Sequence, residues 1–192
     1  MPSPQTGAEK RQQIVETAYA LFKRHGFHAT GIDRVIAEAN VARMTMYRNF
    51  PSKEDLIVEV LRFRMQRFEA QLDRLEERAA KPQQKIGTIV DWYARWFHRG
   101  DFHGCLFAHA LAEYGEPGHP VFDAVAAQKL GLRQRLHRIL DTVMPKEKAE
   151  STAGAIVMLL EGATLLAQMG KGARAIRDVR STVDVLLAQH RV

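Results

Sequence analysis

The residues from Arg43 to Arg48 concentrate side chains that could bind a nucleic acid. With Met46 turned inward, the outward surface of the segment RMTMYR offers two guanidinium groups, a hydroxyl, a phenol and a thioether. Arginine can donate two hydrogen bonds to a guanine edge, whereas threonine and tyrosine hydroxyls commonly contact phosphates. We predict that Arg43, Met44 and Arg48 contact DNA bases and that Thr45 and Tyr47 hold phosphates.

Two short helices joined by a tight turn would position these side chains. Apolar residues recur at helical spacing at positions 32, 35, 36 and 39, which predicts a helix over residues 33–39. Asn40 and Val41 form the turn, because asparagine tolerates a positive φ better than other non-glycine residues. A second helix over residues 43–49 completes a helix-turn-helix, whose second helix can enter the DNA major groove. The alternative is an ordinary helical corner, since such helix pairs also occur in proteins that bind no DNA.

The residues that flank this segment favour DNA binding. Ser52 and Asp55 form a capping pair for a further helix, with Lys53 in its first turn. A lysine at a helix start is unfavourable for the helix dipole unless an anion such as phosphate lies nearby. We therefore predict that Lys53 holds a phosphate, and we assign the same role to Thr30.

The segment resembles the TetR family of bacterial transcriptional regulators. The family usually has glycine in place of Asn40, and serine then lysine in place of Ala42 and Arg43. Ala42 therefore provides no side-chain cap for the second helix. Beyond this segment the chain matches the family only in length and helical character. The matching residues are Thr30-Gly31-Ile32, Ala39-Asn40-Val41, Thr45-Met46-Tyr47 and the run FPSKEDL at residues 50–56.

The composition is that of an ordinary globular protein with a basic balance. Of 192 residues, 46% are hydrophobic and 26% are charged, and the net charge is +6. Residues 1–50 carry seven lysine and arginine residues and four acidic ones. Half of the excess positive charge of the chain therefore lies in the part that contains the predicted DNA-binding helix. This balance favours a polyanionic partner.

The chain shows no signal for secretion or for membrane insertion. A single cysteine, Cys105, cannot form an intramolecular disulfide. The N-terminal residues MPSPQTGAEKRQQ contain no apolar run, and no stretch reaches the roughly 20 apolar residues that a membrane span requires. We expect a cytoplasmic protein with no membrane partner.

Helical periodicity along the whole chain predicts an all-α protein with about nine helices. The helix that follows the DNA-binding segment is predicted to run unbroken over residues 52–81 and to end at Pro82. It would join a DNA-binding domain, residues 1–51, to an effector-binding and dimerisation domain, residues 52–192. Phe27, Ile32, Phe50 and Leu56 would fill the core of the first domain. The other predicted helices cover residues 8–25, 85–99, 105–114, 120–144, 146–169 and 173–190.

One predicted helix carries a second set of potentially reactive side chains. Cys105, His109 and Glu113 are spaced four residues apart and therefore share one helical face. Such groups can bind metals, and a cysteine beside a histidine could act as a nucleophile with its base. A metal- or redox-responsive regulator and a small helical enzyme are therefore alternatives. We expect structural or pocket-lining roles, with no catalytic residue, bound metal or cofactor, because no third orienting group accompanies the pair.

Aromatic side chains concentrate in the same part of the chain, where large rings are hard to pack without gaps. An apolar cavity with a few polar groups is typical of small-molecule sites. The resemblance to the TetR family implies an effector pocket here, although the sequence does not identify the effector. The predicted lining residues are Phe63, Trp92, Trp96, Cys105, His109, Glu113 and Met158.

The last two long helices are apolar on more than one face, so each requires more than one neighbour. We predict that they pack against their own copies in a twofold homodimer, as the family resemblance also implies. A monomeric core is the alternative. The dimer would present two recognition helices, about one DNA turn or slightly more apart, to a palindromic site. The predicted interface residues are Leu159, Gly162, Ala163, Leu166, Val179, Val183 and Leu186.

These features together predict a ligand-responsive transcriptional regulator, with repression as the expected activity. The empty dimer would hold its two DNA-binding heads at the spacing of the operator. An effector would tilt the helix that begins at Ser52, so that the heads no longer fit. The remaining alternatives are a regulator that needs its ligand or a metal to bind DNA and a helical adaptor that binds no DNA.

Overall fold

The computed structural model describes residues 6–188, and this range consists of α-helices joined by turns. The predicted all-α class and the predicted number of helices are confirmed for these residues. The predicted end of the last helix, at residue 190, lies outside them. The nine helices of this range are α1 (Gly7–His25), α2 (Ile32–Glu38), α3 (Arg43–Asn49), α4 (Lys53–Glu77), α5 (Pro82–Phe97), α6 (Leu106–Glu113), α7 (Pro120–Leu140), α8 (Lys146–Gln168) and α9 (Gly172–Ala188).

Local capping explains where α1 and α4 begin and where α1 ends. Thr6 and Glu9 form a reciprocal capping box, in which each side chain accepts a hydrogen bond from the backbone N–H of the other residue. Gly26 ends α1 with a φ of +82°, a value that favours glycine over residues with a Cβ. Ser52 and Asp55 form the predicted capping pair before α4.

The predicted long helix over residues 52–81 is wrong at its C-terminal end. α4 ends at Glu77, and Pro82 begins α5 instead of ending α4. Proline is favoured in the first turn of a helix because it has no N–H to leave unsatisfied and its φ is already helical. The predicted start of α5 at residue 85 is therefore too late.

By packing, the chain divides into two compact units. The N-terminal unit contains the residues up to Arg67 together with Cys105–Ala126. The C-terminal unit contains Phe68–Gly104 together with the residues from Ala127 onwards. α4 contributes its first part to one unit and its last part to the other. The predicted functional boundary between residues 51 and 52 stays a prediction, because a division by packing does not test which residues bind DNA.

The core of the N-terminal unit surrounds the helix-turn-helix formed by α2 and α3. The predicted core residues Phe27, Phe50 and Leu56 are buried, and the half-buried Ile32 packs against the same cluster. α6 also belongs to this core, although its position in the sequence predicted a place in the effector-binding body. The residues of α6 that are buried there are Leu106, Phe107 and Ala110.

The C-terminal unit is a helical bundle in which α5, α7, α8, α9 and the end of α4 share one buried apolar cluster. Arg135 of α7 is 8% exposed, and its guanidinium contacts the carboxylates of Glu69, Asp73 and Glu76 on one face of α4. Burial lowers the pKa of Arg135, but the hydrogen bonds to these carboxylates outweigh that effect and raise its pKa overall.

By length and composition alone, α8 is long and apolar enough to cross a membrane. A core helix of a soluble protein passes the same test. One side of α8 contributes Ile156, Leu160 and Ala163 to the core of the C-terminal unit. The absence of a membrane span therefore stays a prediction.

Candidate nucleic-acid interface

The turn between α2 and α3 has the backbone conformation that its sequence predicts. Asn40 has a φ of 48°, the one positive value at a non-glycine position among residues 6–188. The N–H of Val41 donates to the carbonyl of Ile36, and the side-chain amide of Gln13 on α1 donates to the carbonyl of Ala39 over 2.9 Å. α1 therefore helps to satisfy the backbone groups of the turn and to hold it in place.

α3 has one buried face and one exposed face. Met46 is fully buried and anchors the helix on the core, whereas Met44 is 82% exposed. A large apolar side chain so fully in water, surrounded by polar groups, is typical of a binding surface. Among the other residues of this helix that are predicted to contact DNA, Thr45 is half-buried. The remaining three are exposed: Arg43, Tyr47 and Arg48.

An ion pair neutralises one of the arginines of α3. Nη2 of Arg43 donates to Oδ1 of Asp33 on α2 over 2.6 Å, and the two side chains are 63% and 69% exposed. An exposed pair of this kind contributes only about 0–1 kcal/mol to stability. Its main effect is to direct the guanidinium of Arg43. Sequence reasoning missed Asp33, although an acidic residue in the first turn of α2 and a basic one in the first turn of α3 could have indicated the pair.

Lys53 and Thr30, which are also predicted to hold phosphates, have different surroundings. Lys53 begins α4, and its Nζ donates to the carbonyl of His28 over 3.4 Å at the surface. Thr30 is fully buried, and its hydroxyl donates to the carbonyl of Gly26 over 2.7 Å. Because that hydroxyl is already bound within the loop before α2, the side chain of Thr30 does not fit the predicted phosphate contact.

Comparison with known proteins agrees with this geometry. Residues 14–60 match the model of the family described as bacterial regulatory proteins, tetR family. The described fold matches the crystal structure of SCO4454, a TetR-family transcriptional regulator from Streptomyces coelicolor. That match has a TM-score of 0.89 and 28% sequence identity, and it covers 95% of this chain and 96% of the other. The chain belongs to the TetR family of transcriptional regulators. This membership excludes the small helical enzyme and the helical adaptor, because the family consists of DNA-binding regulators without enzymatic activity.

Curated relatives of this TetR-family protein are also helix-turn-helix regulators. YxaF from Bacillus subtilis (strain 168) is 24% identical over 191 residues, which cover 93% of this chain and 95% of YxaF. The transcriptional repressor KstR from Mycobacterium tuberculosis is 27% identical over 141 residues, which cover 73% of this chain and 59% of KstR.

In this TetR-family protein, two of the residues predicted to line an effector pocket, Met158 and Glu113, have surroundings other than an apolar pocket. Met158 is 70% exposed, so it does not line an enclosed pocket within its own unit. The carboxylate of Glu113 accepts hydrogen bonds from the backbone N–H groups of Phe27 and His28. The seven predicted residues are divided between the two units: Phe63, Cys105, His109 and Glu113 lie in the N-terminal unit, and Trp92, Trp96 and Met158 in the C-terminal unit.

The C-terminal unit offers other groups to a small molecule. Trp92 and Trp96 stack with ring centroids 5.5 Å apart, within a larger aromatic cluster. Gln128 of α7 is 4% exposed, and its Oε1 accepts no hydrogen bond from any residue of the range 6–188. A buried acceptor left in this state costs about 1–3 kcal/mol unless a ligand or water donates to it. Sequence reasoning missed Gln128.

A cavity of about 370 Å³ in the C-terminal unit lies beside Lys85 and Arg138. None of the seven residues that were predicted to line an effector pocket lines this cavity.

Cys105 and His109 receive no support as metal ligands. Among the described residues, no group of three or more histidine, cysteine, aspartate and glutamate side chains could hold a metal ion. Cys105 is the residue before α6, its side chain is half-buried, and its carbonyl accepts the N–H of His109. This backbone hydrogen bond, from the N–H of His109 to the carbonyl of Cys105, is the first of α6.

The exposed apolar surface of α8 differs in part from the predicted dimer interface. Ala163, Val179 and Val183 are buried inside the C-terminal unit, where α8 and α9 of one chain pack together. Leu159 and Leu186 are half-buried and pack against the same cluster. The predicted residues that remain exposed are Gly162 and Leu166. They belong to an exposed row at helical spacing, which we call the α8 strip: Met158, Gly162, Leu165, Leu166 and Met169.

Proposed function

We propose that this TetR-family regulator is a cytoplasmic repressor that binds a palindromic DNA operator as a homodimer and leaves it when a small-molecule effector binds. The observation that carries the proposal is the exposed face of α3. Met46 holds this helix against the core, so that Met44 and the neighbouring arginines Arg43 and Arg48 point into solvent. A DNA major groove offers both hydrogen-bonding base edges and thymine methyl groups to such a surface.

The roles of the individual side chains follow from their chemistry. Arg43, Met44 and Arg48 contact base edges, and they supply the sequence preference. Thr45 and Tyr47 place hydroxyl groups at phosphates, and Lys53 adds a cation at the start of α4. The Lys53 ammonium would exchange its long contact with the His28 carbonyl for a phosphate oxygen.

The α8 strip supports the homodimer. Its four large side chains are 40–70% exposed, although they are apolar and adjacent. Apolar surface of this kind gains about 25 cal/mol for each square ångström removed from water. A twofold partner covers the strip with the same residues of a second copy. The two α3 helices then meet two half-sites about 34–36 Å apart.

Release by an effector requires that the effector prefer the form that does not bind DNA. The stacked tryptophans Trp92 and Trp96 suit a flat apolar ligand, and the unsatisfied amide oxygen of Gln128 suits a ligand with a hydrogen-bond donor. Repression is supported by the similarity to KstR, a transcriptional repressor that matches 73% of this chain.

The proposal is tested by selecting duplexes from a randomised DNA library with the purified protein. Wild-type protein should recover a palindromic motif, and a variant with Arg43→Ala and Arg48→Ala should recover none. A matched control removes the same charge elsewhere, with Arg74→Ala and Arg95→Ala, at two exposed positions outside α3. A reporter gene placed behind the recovered motif should then fall in expression when the protein is present. Recovery of no motif by the wild-type protein would contradict DNA recognition, and increased reporter expression would contradict repression.

A further inference from the structure

The loop between α1 and α2 is held by a carboxylate from α6. Glu113 accepts a hydrogen bond from the N–H of Phe27 over 2.9 Å and a second from the N–H of His28. These amides follow Gly26, where α1 ends, and precede the start of α2 at Ile32. Hydrogen bonds to an ionised group are roughly twice as strong as neutral ones. One side chain of α6 therefore anchors the segment from which the helix-turn-helix begins.

The end of α1 is shaped to receive this carboxylate. A Cβ at Gly26 would lie 3.1 Å from Oε1 of Glu113, closer than ordinary van der Waals contact. The φ of +82° at the same residue also favours glycine. Gly26 thus allows the chain to turn and, at the same time, allows Glu113 to reach the two amides that the turn exposes.

Further contacts hold the same loop. The ring of Tyr114 packs edge-on against the rings of His28 and Phe27, with centroids 4.8 Å and 6.3 Å apart, and Phe27 is fully buried. The hydroxyl of Thr30 donates to the carbonyl of Gly26, and Lys53 donates to the carbonyl of His28. Within this group, Glu113 is the side chain that satisfies backbone N–H groups of the loop.

We propose that Glu113 is a positioning residue for DNA binding. By binding the amides of Phe27 and His28, it sets the direction in which α2 begins and, through the tight turn at Asn40, the orientation of α3. Without it, two amides lose their acceptor and the loop samples several directions. Apparent affinity then falls in proportion to the fraction of molecules in the competent orientation. This inference rests on the proposed function, because it needs a duplex that the wild-type protein recognises.

The test compares Glu113→Gln with Glu116→Gln in the full-length protein. Glu116 is exposed and lies three residues further along the chain, so its variant loses the same charge. The probe is the duplex that the wild-type protein recovers from the randomised library. Glu113→Gln should weaken its binding at least about tenfold at every salt concentration, with an unchanged salt slope, because no phosphate contact is lost. Glu116→Gln should stay within about twofold of wild type. Unchanged affinity of Glu113→Gln, or a shallower salt slope, would overturn the proposal.

Amide hydrogen exchange distinguishes positioning from general stabilisation. Because glutamine keeps one acceptor oxygen, exchange should be faster at one or both of Phe27 and His28 in Glu113→Gln, and it should be unchanged in Glu116→Gln. If Glu113→Gln does not fold, Glu113→Asp keeps the charge but shortens the side chain by one methylene, and the same two effects are expected. A lower unfolding temperature with unchanged affinity of the folded protein would overturn the proposal, as would slow exchange at both amides. Binding by the wild-type protein in the same titration tests the proposed function separately.

Discussion

Asp33 and Arg43 form an ion pair across the turn of the helix-turn-helix, with 2.6 Å between Oδ1 and Nη2. Both residues are in the first turn of their helices, and both are exposed. DNA that binds Arg43 must compete with the Asp33 carboxylate, which also repels phosphates. We infer that Asp33 weakens the attraction of this surface to DNA of arbitrary sequence.

Replacement of Asp33 by asparagine should therefore increase binding to random DNA. We expect an affinity about twofold to fivefold higher, in line with the energy of an exposed ion pair. The salt dependence should steepen by about 0.9, the contribution of one additional phosphate contact. Titration of a random duplex over a range of salt measures both quantities. Glu38→Gln is the control, because Glu38 forms a similar exposed pair with Arg34 on the same helix. Equal changes in both variants would contradict a specific role for Asp33.

Arg43 should contribute mainly to sequence-specific DNA binding, whereas Lys53 should contribute equally to the binding of any DNA sequence. Arg43→Ala should cost about 1–3 kcal/mol on the duplex recovered by the wild-type protein and much less on random DNA, because a bidentate base contact is lost. Lys53→Ala should weaken both duplexes alike and reduce the salt slope by about 0.9. Both are measured in parallel titrations. Equal loss on both duplexes for Arg43→Ala would show that it contacts the backbone instead.

Leu165 is 61% exposed in the α8 strip, and its replacement by glutamate should prevent dimerisation. A carboxylate facing its own copy in an apolar interface would be buried without a partner. Sedimentation at micromolar concentration should then show a single 21.7 kDa species, whereas the wild-type protein should show twice that mass. Leu111→Glu, at an exposed position of α6 in the N-terminal unit, is the control and should remain dimeric. A dimer that persists in Leu165→Glu would disprove the role of the strip.

Arg135 should contribute far more to stability than its neighbour Arg138. Arg135 is buried against three carboxylates of α4, whereas Arg138 is 68% exposed and lies 3.9 Å from Glu76. Arg135→Ala should lower the free energy of unfolding by about 1–3 kcal/mol, because it leaves partly buried carboxylates unpaired. Arg138→Ala should change it by less than about 0.5 kcal/mol. Denaturant unfolding at one fixed protein concentration measures both, and equal effects would contradict the difference in burial.

Tyr114 should ionise at a higher pH than an ordinary tyrosine. Burial, followed by the negative charges of Glu54 and Glu113, raises the pKa of Tyr114 to about 12. Because this is above the ordinary value of about 10, the stabilisation from the neutral phenol is fully present below that pH and is lost as the pH rises towards 12. In a titration followed by tyrosinate absorbance, Tyr114→Phe should remove a transition near pH 12. Glu113→Gln should lower the pKa of Tyr114, because it removes one of the nearby negative charges. A Tyr114 transition near pH 10 would show that the ring is not buried.

Local sequence determined the helix-turn-helix of this protein. Asn40 at the turn, the Ser52 and Asp55 pair before α4 and the buried Met46 all follow from residues within a few positions of one another. Such short-range interactions leave a direct trace in residue type and spacing. The same reasoning failed at Pro82, because a proline is compatible with the end of one helix and with the start of the next.

Tertiary structure alone decided what distant residues do. Glu113 lies 86 residues from Phe27 along the chain, so no local pattern indicated that it would bind the loop before α2 instead of an effector. Hydrophobic periodicity likewise showed that α8 and α9 have several apolar faces, but it did not show that Val179 and Val183 face their own chain while Leu165 faces solvent. Periodicity records how apolar each face is, whereas the partner of each face depends on the packing of the whole chain.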